Sequence, residues 1–449
     1  MKEVKRRLEV LSLYDCTGIE QHLEQMAHKG WALERISNNI WRYRRIEPRN
    51  LRYSVVYLPG SSEFDPGPTE ANRELQEFCA QAGWNQVGSL AQMHIFCNEN
   101  PNPIPIDTDP VLQVDTIHAS MKKNFIPSQF TMLGLGIVQL LLCFSRYKLD
   151  PVGFLTLNAN LVSIGCWIMV SFLSICDLIG YFSWHRKAVE AARDGEFLPT
   201  RGSEKLQKAT LWVLAVVVVC WVCSISSAVQ AFYLAVGCVY VALVFGAVFG
   251  VKAFFKKQGA SAATTRTAVW VTSFVTAFVL CGGLVWIGFA VADNDLFEPK
   301  VETVEVDGEI YHVRNDELPL YIQDLTQTDW PRYTTYRHES SSVLLTHIST
   351  SQDPVPDGAP CLGVNIYEIH FPLIREAVLE EITERYSGHF GELVLMDTDI
   401  DGVEIYRHVR NGELWNTVLI SQKDKIILLH PGWELTEAQI KTAIDILGN

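Results

Sequence analysis

Five runs of apolar residues dominate the middle of the chain, at residues 126–144, 161–182, 209–225, 228–251 and 268–291. Each approaches or exceeds the roughly 17 residues that an α-helix needs to cross a hydrocarbon core of about 30 Å. The pattern therefore predicts an all-α transmembrane bundle of about five helices over residues 116–291. The third and fourth runs follow one another almost without a charge from Leu211 to Val251. A single helix of that length would measure roughly 60 Å at 1.5 Å per residue, twice the membrane. The polar cluster Ser224, Ser226, Ser227 and Gln230 marks the turn of a helical hairpin, with a re-entrant pair as the alternative.

The flanks of this block alternate on shorter periods. Ile19, Leu23, Met26 and Ala27 recur at helical spacing and stop at Gly30-Trp31, and Leu75, Phe78, Cys79 and Ala80 stop at Gly83-Trp84, an offset of 53 residues. In each copy the glycine fits the left-handed helix terminator and the tryptophan opens a strand. Alternating stretches at Leu8–Tyr14, Ala32–Ile36, Ile40–Ile46, Arg52–Leu58, Trp84–Val87 and Met93–Cys97 complete two strand-helix-strand-strand units. Residues 1–115 are thus expected to form a duplicated α+β domain with one antiparallel sheet and two helices on one face. Beyond the membrane block, residues 292–449 read as a second α+β domain. Asp307-Gly308 joins a hairpin, Val343–Ile348 and Val364–Phe371 are strands, and Pro372 opens a helix to about Tyr386. The pairs Glu392–Met396 with Val403–Val409 and Leu414–Ser421 with Lys425–His430 follow, and Thr436 caps a last helix.

The N-terminal pattern resembles a known family. Met26-Ala27, Lys29-Gly30-Trp31, Arg52-Tyr53, Gly83-Trp84 and the closing Asp107-Thr108-Asp109 are similar to bacterial membrane proteins of domain-of-unknown-function family 2812, over about residues 1–125. The resemblance implies a bacterial membrane location and an envelope-stress or signalling context. It brings no catalytic or ligand residue with it, and residues 292–449 lie outside it.

Charge divides the chain in the same way. The net is −2 over residues 1–125, +6 over 126–291 and −18 over the remainder. Placing the N-terminus inside leaves twelve Lys and Arg on cytoplasmic flanks and only Arg146, Lys148 and Lys300 outside. The positive-inside rule then puts the N-terminal domain in the cytoplasm and the acidic domain on the extracytoplasmic side of a cell membrane. Its charge argues against anionic polymers or lipid as partners of that domain. Of eleven cysteines, seven lie in or beside apolar runs and only Cys361 falls in the C-terminal domain, so no disulfide framework is expected.

Few residues announce chemistry. Asp177 is the one charge inside the apolar runs; an interfacial carboxylate pairing with Arg186 or Lys187 is the plain reading, an ion or proton pathway the sharper one. Ala242, Gly246 and Gly250 have the spacing of close helix packing and of dimerisation. Cys220 and Cys223 match C-x-x-C by spacing alone and read as core. Asp397, Asp399, Asp401 and Gly402 match the first half of a calcium loop, but His408 stands where its closing glutamate belongs, and a hairpin turn is the plainer account. Trp41 to Tyr53 interleaves bases with aromatics in a domain that is slightly acidic overall, which favours solvated strand faces or headgroup contact over nucleic acid. His312, His338, His347, His370 and His389 have no ligand spacing, and no nucleophile, zinc-protease or phosphate-loop motif occurs.

These observations lead to the expectation of a non-enzymatic membrane sensor or scaffold, without cofactor, that couples an extracytoplasmic domain to a cytoplasmic one. Its expected partners are the lipid bilayer and proteins on one or both sides, with homo-oligomerisation open and nucleic acid excluded. A transporter or transporter accessory subunit is the alternative, and a membrane-bound hydrolase ranks third.

Overall fold

The computed structural model describes residues 3–9, 12–36, 40–200, 202, 204–223, 225, 228–293, 301–306, 308–386, 391–396, 402–410 and 413–448. The N-terminal region begins β1 (Val4–Leu8), α1 (Cys16–His28), β2 (Trp31–Arg35) and β3 (Ile40–Arg45), and repeats as β4 (Arg52–Tyr57), α2 (Glu70–Gln81), β5 (Asn85–Leu90) and β6 (Met93–Asn98). Helix α1 starts where Asp15 caps it and buries Cys16, Ile19, Leu23, Met26 and Ala27 along one stripe. Thr69 caps α2 in the same manner. Gly30 and Gly83 end the two helices at φ +78° and +82°.

Two expectations are corrected here. The first strand runs from Val4 to Leu8 rather than from Leu8 to Tyr14, and Leu13 and Tyr14 form the turn that leads into the cap of α1. The strands also make two three-stranded antiparallel sheets, ordered β1-β3-β2 and β4-β6-β5, not one. Edge strands β2 and β5 each carry a register shift, at Leu33/Arg35 and Gln86/Gly88. A bulge leaves a residue unpaired and bends its strand. The halves join through side chains instead: α1 packs on β4, and a Cβ on Gly88 would stand 2.8 Å from Ile36 Cδ1.

At Gly30 a Cβ would also lie 2.9 Å from the Ile46 carbonyl oxygen. Gly30→Ala is therefore expected to cost about 1–3 kcal/mol, from the left-handed φ and this clash. Denaturant unfolding of the full chain in detergent would read it, and Gly83→Ala, which faces only the Asn98 side chain at 3.2 Å, should cost less.

The middle of the chain is helical: α3 (Pro110–Lys123), α4 (Phe125–Leu149), the short α5 (Pro151–Leu155), α6 (Asn158–Arg193), α7 (Glu204–Cys223), α8 (Ala228–Lys257) and α9 (Ala262–Asp293). Among the described residues, five helical segments are long and apolar enough to cross a membrane. Their flanks expose large apolar side chains, Phe278 at 82% and Phe274 and Phe289 at 68%. Such faces are far more apolar than water favours and suit a hydrocarbon surrounding. The turn residues Ser224, Ser226 and Ser227 lie outside the described residues. Helix α6 has 36 residues, or about 54 Å at 1.5 Å per residue, so it outruns a hydrocarbon core of about 30 Å.

The C-terminal region opens with a hairpin of β7 (Glu302–Val306) and β8 (Glu309–Val313), with Gly308 at φ +86°. After α10 (Ile322–Leu325) come β9 (Tyr333–Ser341), β10 (Leu345–Pro354) and β11 (Leu362–Ile369). A 3₁₀ turn at Pro372–Ile374 leads into α11 (Arg375–Tyr386), and β12 (Glu392–Met396), β13 (Glu404–Arg410), β14 (Glu413–Ser421), β15 (Lys425–Pro431) and α12 (Glu437–Leu447) follow. Seven strands form one antiparallel sheet in the order β12-β13-β14-β15-β11-β10-β9. In β15, Ile427 and Leu429 face α10 and α12, whereas Ile426 and Leu428 face α5 and α11. Burial on both sides explains why that strand is an unbroken apolar run.

The chain divides into two compact units, Met1–Gln139 with Cys166–Asp295, and Leu140–Gly165 with Leu296–Asn449. Within the second, Ser342 Oγ donates to the Leu155 carbonyl (2.6 Å), Val343 N donates to Asn158 Oδ1 (3.0 Å), and Arg385 meets Asp150 at 3.4 Å.

Candidate functional site

A polar constellation of the first unit surrounds the start of α1. Four N–H groups at a helix start lack intrahelical partners, and Asp15 satisfies one of them, Oδ1 accepting from Gly18 N at 3.0 Å. Its Oδ2 accepts from Gly202 N at 2.7 Å, in the segment between α6 and α7. Beside it Thr17 N donates to Thr200 Oγ1 (2.9 Å) while Thr200 N donates to Thr17 Oγ1 (3.1 Å), and Cys16 Sγ lies 3.4 Å from the same Thr200 hydroxyl. The three hydrogen bonds clamp Thr200 and Gly202 across the head of the helix. Burial, with a smaller push from Glu20, raises the Cys16 thiol to about 12, so it is held as an unreactive thiol.

The clamp continues to Asp177. Gln207 Nε2, on α7, stands 2.9 Å from both Asp177 oxygens and 3.0 Å from Ser12 Oγ. Asp177 is 7% exposed. With Gln129, Ser174, Gln207 and Thr210 it faces a cavity of about 320 Å³ otherwise walled by Leu, Met and Val. Arg186, the expected partner, stands instead 4.0 Å from Glu190.

Tyr14 sits between these polar groups and the helices. Its ring meets Phe125 (5.6 Å), Tyr181 (5.3 Å) and Trp184 (6.1 Å). A Cβ on Gly180 would come within 3.0 Å of its hydroxyl. Burial, then the charges of Asp177 and Asp15, push the Tyr14 phenol up to about 12. His118 Nδ1 pairs with Tyr181 OH at 2.7 Å, and the His118 ring stacks on His185 at 4.1 Å. Tyr181, Trp184, Ala188 and Ala192 form one stripe of α6 inside the core of the N-terminal region. These contacts fix the head of α1 against α4 and α6.

Other singled-out residues fall elsewhere. Trp31 opens β2 between Lys5 (5.3 Å) and Arg45 (5.1 Å), and Trp84 is buried with Nε1 donating to the Ile104 carbonyl (2.8 Å). In the basic-aromatic stretch Trp41 and Tyr43 point inward, while Arg42, Arg49 and Arg52 pair with Glu34, Glu99 and Glu24. A Cβ on Gly246 or Gly250 would meet nothing within 4 Å. Asp397, Asp399, Asp401 and His389 lie outside the described residues. Among the described residues no group of three His, Cys, Asp or Glu is placed to hold a metal.

The histidines of the second unit prove less scattered than their spacing. His338 and His347 border one cavity of about 520 Å³ with Arg146 and Asp150, and cross-strand register on β9 and β10 puts them on one sheet face. His430 bonds Tyr386 OH (3.0 Å) and Thr417 Oγ1 (3.1 Å), and burial, helped by His408, lowers it to about 4. It is a neutral structural histidine.

Asp15 ahead of an amphipathic run was a readable cap signal; Thr200, Gly202 and Gln207 carried none, because their partners are distant in sequence. No curated protein and no solved structure matches the chain. From Asp15, the first residue of the clamp, through residue 127, the N-terminal quarter of the chain matches the family model described as Protein of unknown function (DUF2812).

Proposed function

We infer that this is a multi-pass membrane sensor or scaffold whose N-terminal domain, on the cytoplasmic side, is coupled through its helices to an extracytoplasmic C-terminal domain. The observation that carries this reading is the Asp15–Tyr14 joint. It ties the head of α1 to α6 and to the segment before α7 by buried hydrogen bonds and rings. The outer domain in turn grips the turn between α4 and α6 through Ser342, Val343 and Arg385. Helix α6 thus carries a residue of each grip, Asn158 at its start and Tyr181 further along, and a shift at one would bias the other. The cavity beside Asp177 favours a second reading, a transporter or accessory subunit in which that carboxylate takes part in ion or proton passage.

Crosslinking and pull-down from native membranes separate the two. The full chain would be compared with one carrying Ser342→Ala and Arg385→Ala, which loosens the outer grip. Recovery of a regulatory protein on residues 1–125 that changes several-fold between them supports coupling. Equal recovery from both counts against it, and a permease or ATPase captured equally by both favours the accessory reading.

A further inference from the structure

At about 100° per residue, the face of α6 opposite the stripe Tyr181, Trp184, Ala188 and Ala192 is turned outward, and its character changes along the helix. Ile179 and Phe182 are apolar and exposed, at 64% and 44%. Ser183 is exposed beside them, and Arg186 and Lys187 stand exposed one turn further on. With Phe130 of α4, itself exposed, these residues line an open groove of about 700 Å³. Ile179 and Arg186 lie about 10 Å apart along the helix axis, at 1.5 Å per residue. The polar layer between hydrocarbon and water is about 5–8 Å deep on each side of a bilayer. One groove thus reaches from hydrocarbon depth to headgroup level, at the end of α6 that the count of Lys and Arg assigns to the cytoplasmic side.

The cations at its upper end are open to a ligand. Among the described residues Arg186 has only Glu190, 4.0 Å away and beyond hydrogen-bond reach, and Lys187 has no ion pair. A guanidinium can hold a phosphate through two parallel N–H bonds, and an ammonium adds a point charge. An acidic protein segment could meet both cations but would leave the apolar floor uncovered. A lipid covers both levels.

We propose that this groove holds one anionic phospholipid, its phosphate received by Arg186 and Lys187 and an acyl chain laid over Ile179, Phe182 and Phe130. Each cation near a membrane surface strengthens binding of an anionic headgroup about fivefold. The proposal rests on the membrane reading above and stands independently of coupling between the domains. The opposite face of the same turns belongs to the core of the N-terminal region, so lipid and domain meet on one helix.

The full chain, purified in detergent and stripped of lipid, would be titrated with phosphatidylglycerol and with phosphatidylcholine of the same chains, and bound lipid counted by native mass spectrometry. Phosphatidylglycerol is expected to bind about 5–30-fold more tightly, the effect of two cations. Arg186→Gln with Lys187→Gln, at exposed positions, should remove that preference. Lys257→Gln with Arg266→Gln, the same charge lost at exposed residues that do not line the groove, should leave it unchanged. No preference in the parent would overturn the proposal. So would a preference reduced equally by both glutamine pairs, or glycerophosphoglycerol, the headgroup without chains, binding as tightly as the lipid. A chain that alkaline carbonate strips from native membranes would overturn the membrane reading and the groove with it, whereas one that stays in them without the preference loses only the groove.

Discussion

Asp15→Ala lowers the stability of the full chain by about 2–4 kcal/mol, the loss of a helix cap together with a buried charge-assisted bond. The carboxylate is 6% exposed and serves two backbone donors, Gly18 N and Gly202 N. Alanine leaves both without that acceptor. Asp15→Asn retains one acceptor oxygen and should lose roughly half as much. The effect is local as well as global: hydrogen exchange at the first turn of α1 and at residues 198–202 should accelerate together, while the sheet of β9–β15 stays protected. Exchange that rises only at α1 would mean that Asp15 caps its helix without clamping the segment before α7.

Glu20→Gln is expected to stabilise the chain above neutral pH and to leave it unchanged near pH 4.5. Burial pushes the Glu20 carboxyl up to about 7 from 4.5; the bond from Val55 N opposes this, and Glu24, Asp107 and Asp15 add repulsion. Between those two values the folded chain keeps a proton that the unfolded chain has released, so stability falls as pH rises through the window and levels off above about 7. Glutamine keeps an acceptor for Val55 N and carries no charge. At pH 8 the gain should be about 1–3 kcal/mol. Parallel melting curves of parent and variant from pH 4.5 to 8 would show it as two lines that diverge with pH. Lines that stay parallel would place Glu20 in contact with water and return its carboxyl to the ordinary range.

What could be read from the sequence was periodic and local. The helical stripes ending at Gly30 and Gly83, the five apolar runs, the hairpin of β7 and β8 and the Thr436 cap all lie within windows of a turn or a membrane thickness. Strand β9 escaped notice because Tyr333–Ser341 is an edge strand, polar and mostly exposed, without an apolar face to alternate. The split into two sheets, ordered β1-β3-β2 and β4-β6-β5, is a matter of which strands pair, which alternation within each strand does not register. Arg186 and Lys187 looked like partners for Asp177 by proximity in sequence, yet nine or ten residues along a helix is about 14 Å, and Gln207 from another helix takes the place. The clamp itself joins residues more than 180 positions apart. Likewise Val152 and Leu155, which read as a short connection between helices, belong to the core under α11.

The two copies of the strand-helix-strand-strand unit have parted in their duties. In the first, the cap of α1 also holds a distant segment, whereas Thr69 in the second closes only its own helix, on Asn72 N. At the helix start, then, the first copy is pinned by a partner outside itself, whereas the second copy is held from outside elsewhere, at Glu63 by Lys252. Selection on such a pair is unequal: the start of α1 can change only in step with Thr200 and Gly202, while the start of α2, capped by Thr69 on its own helix, is under no such tie, which makes it the place where related chains would acquire distinct specificities.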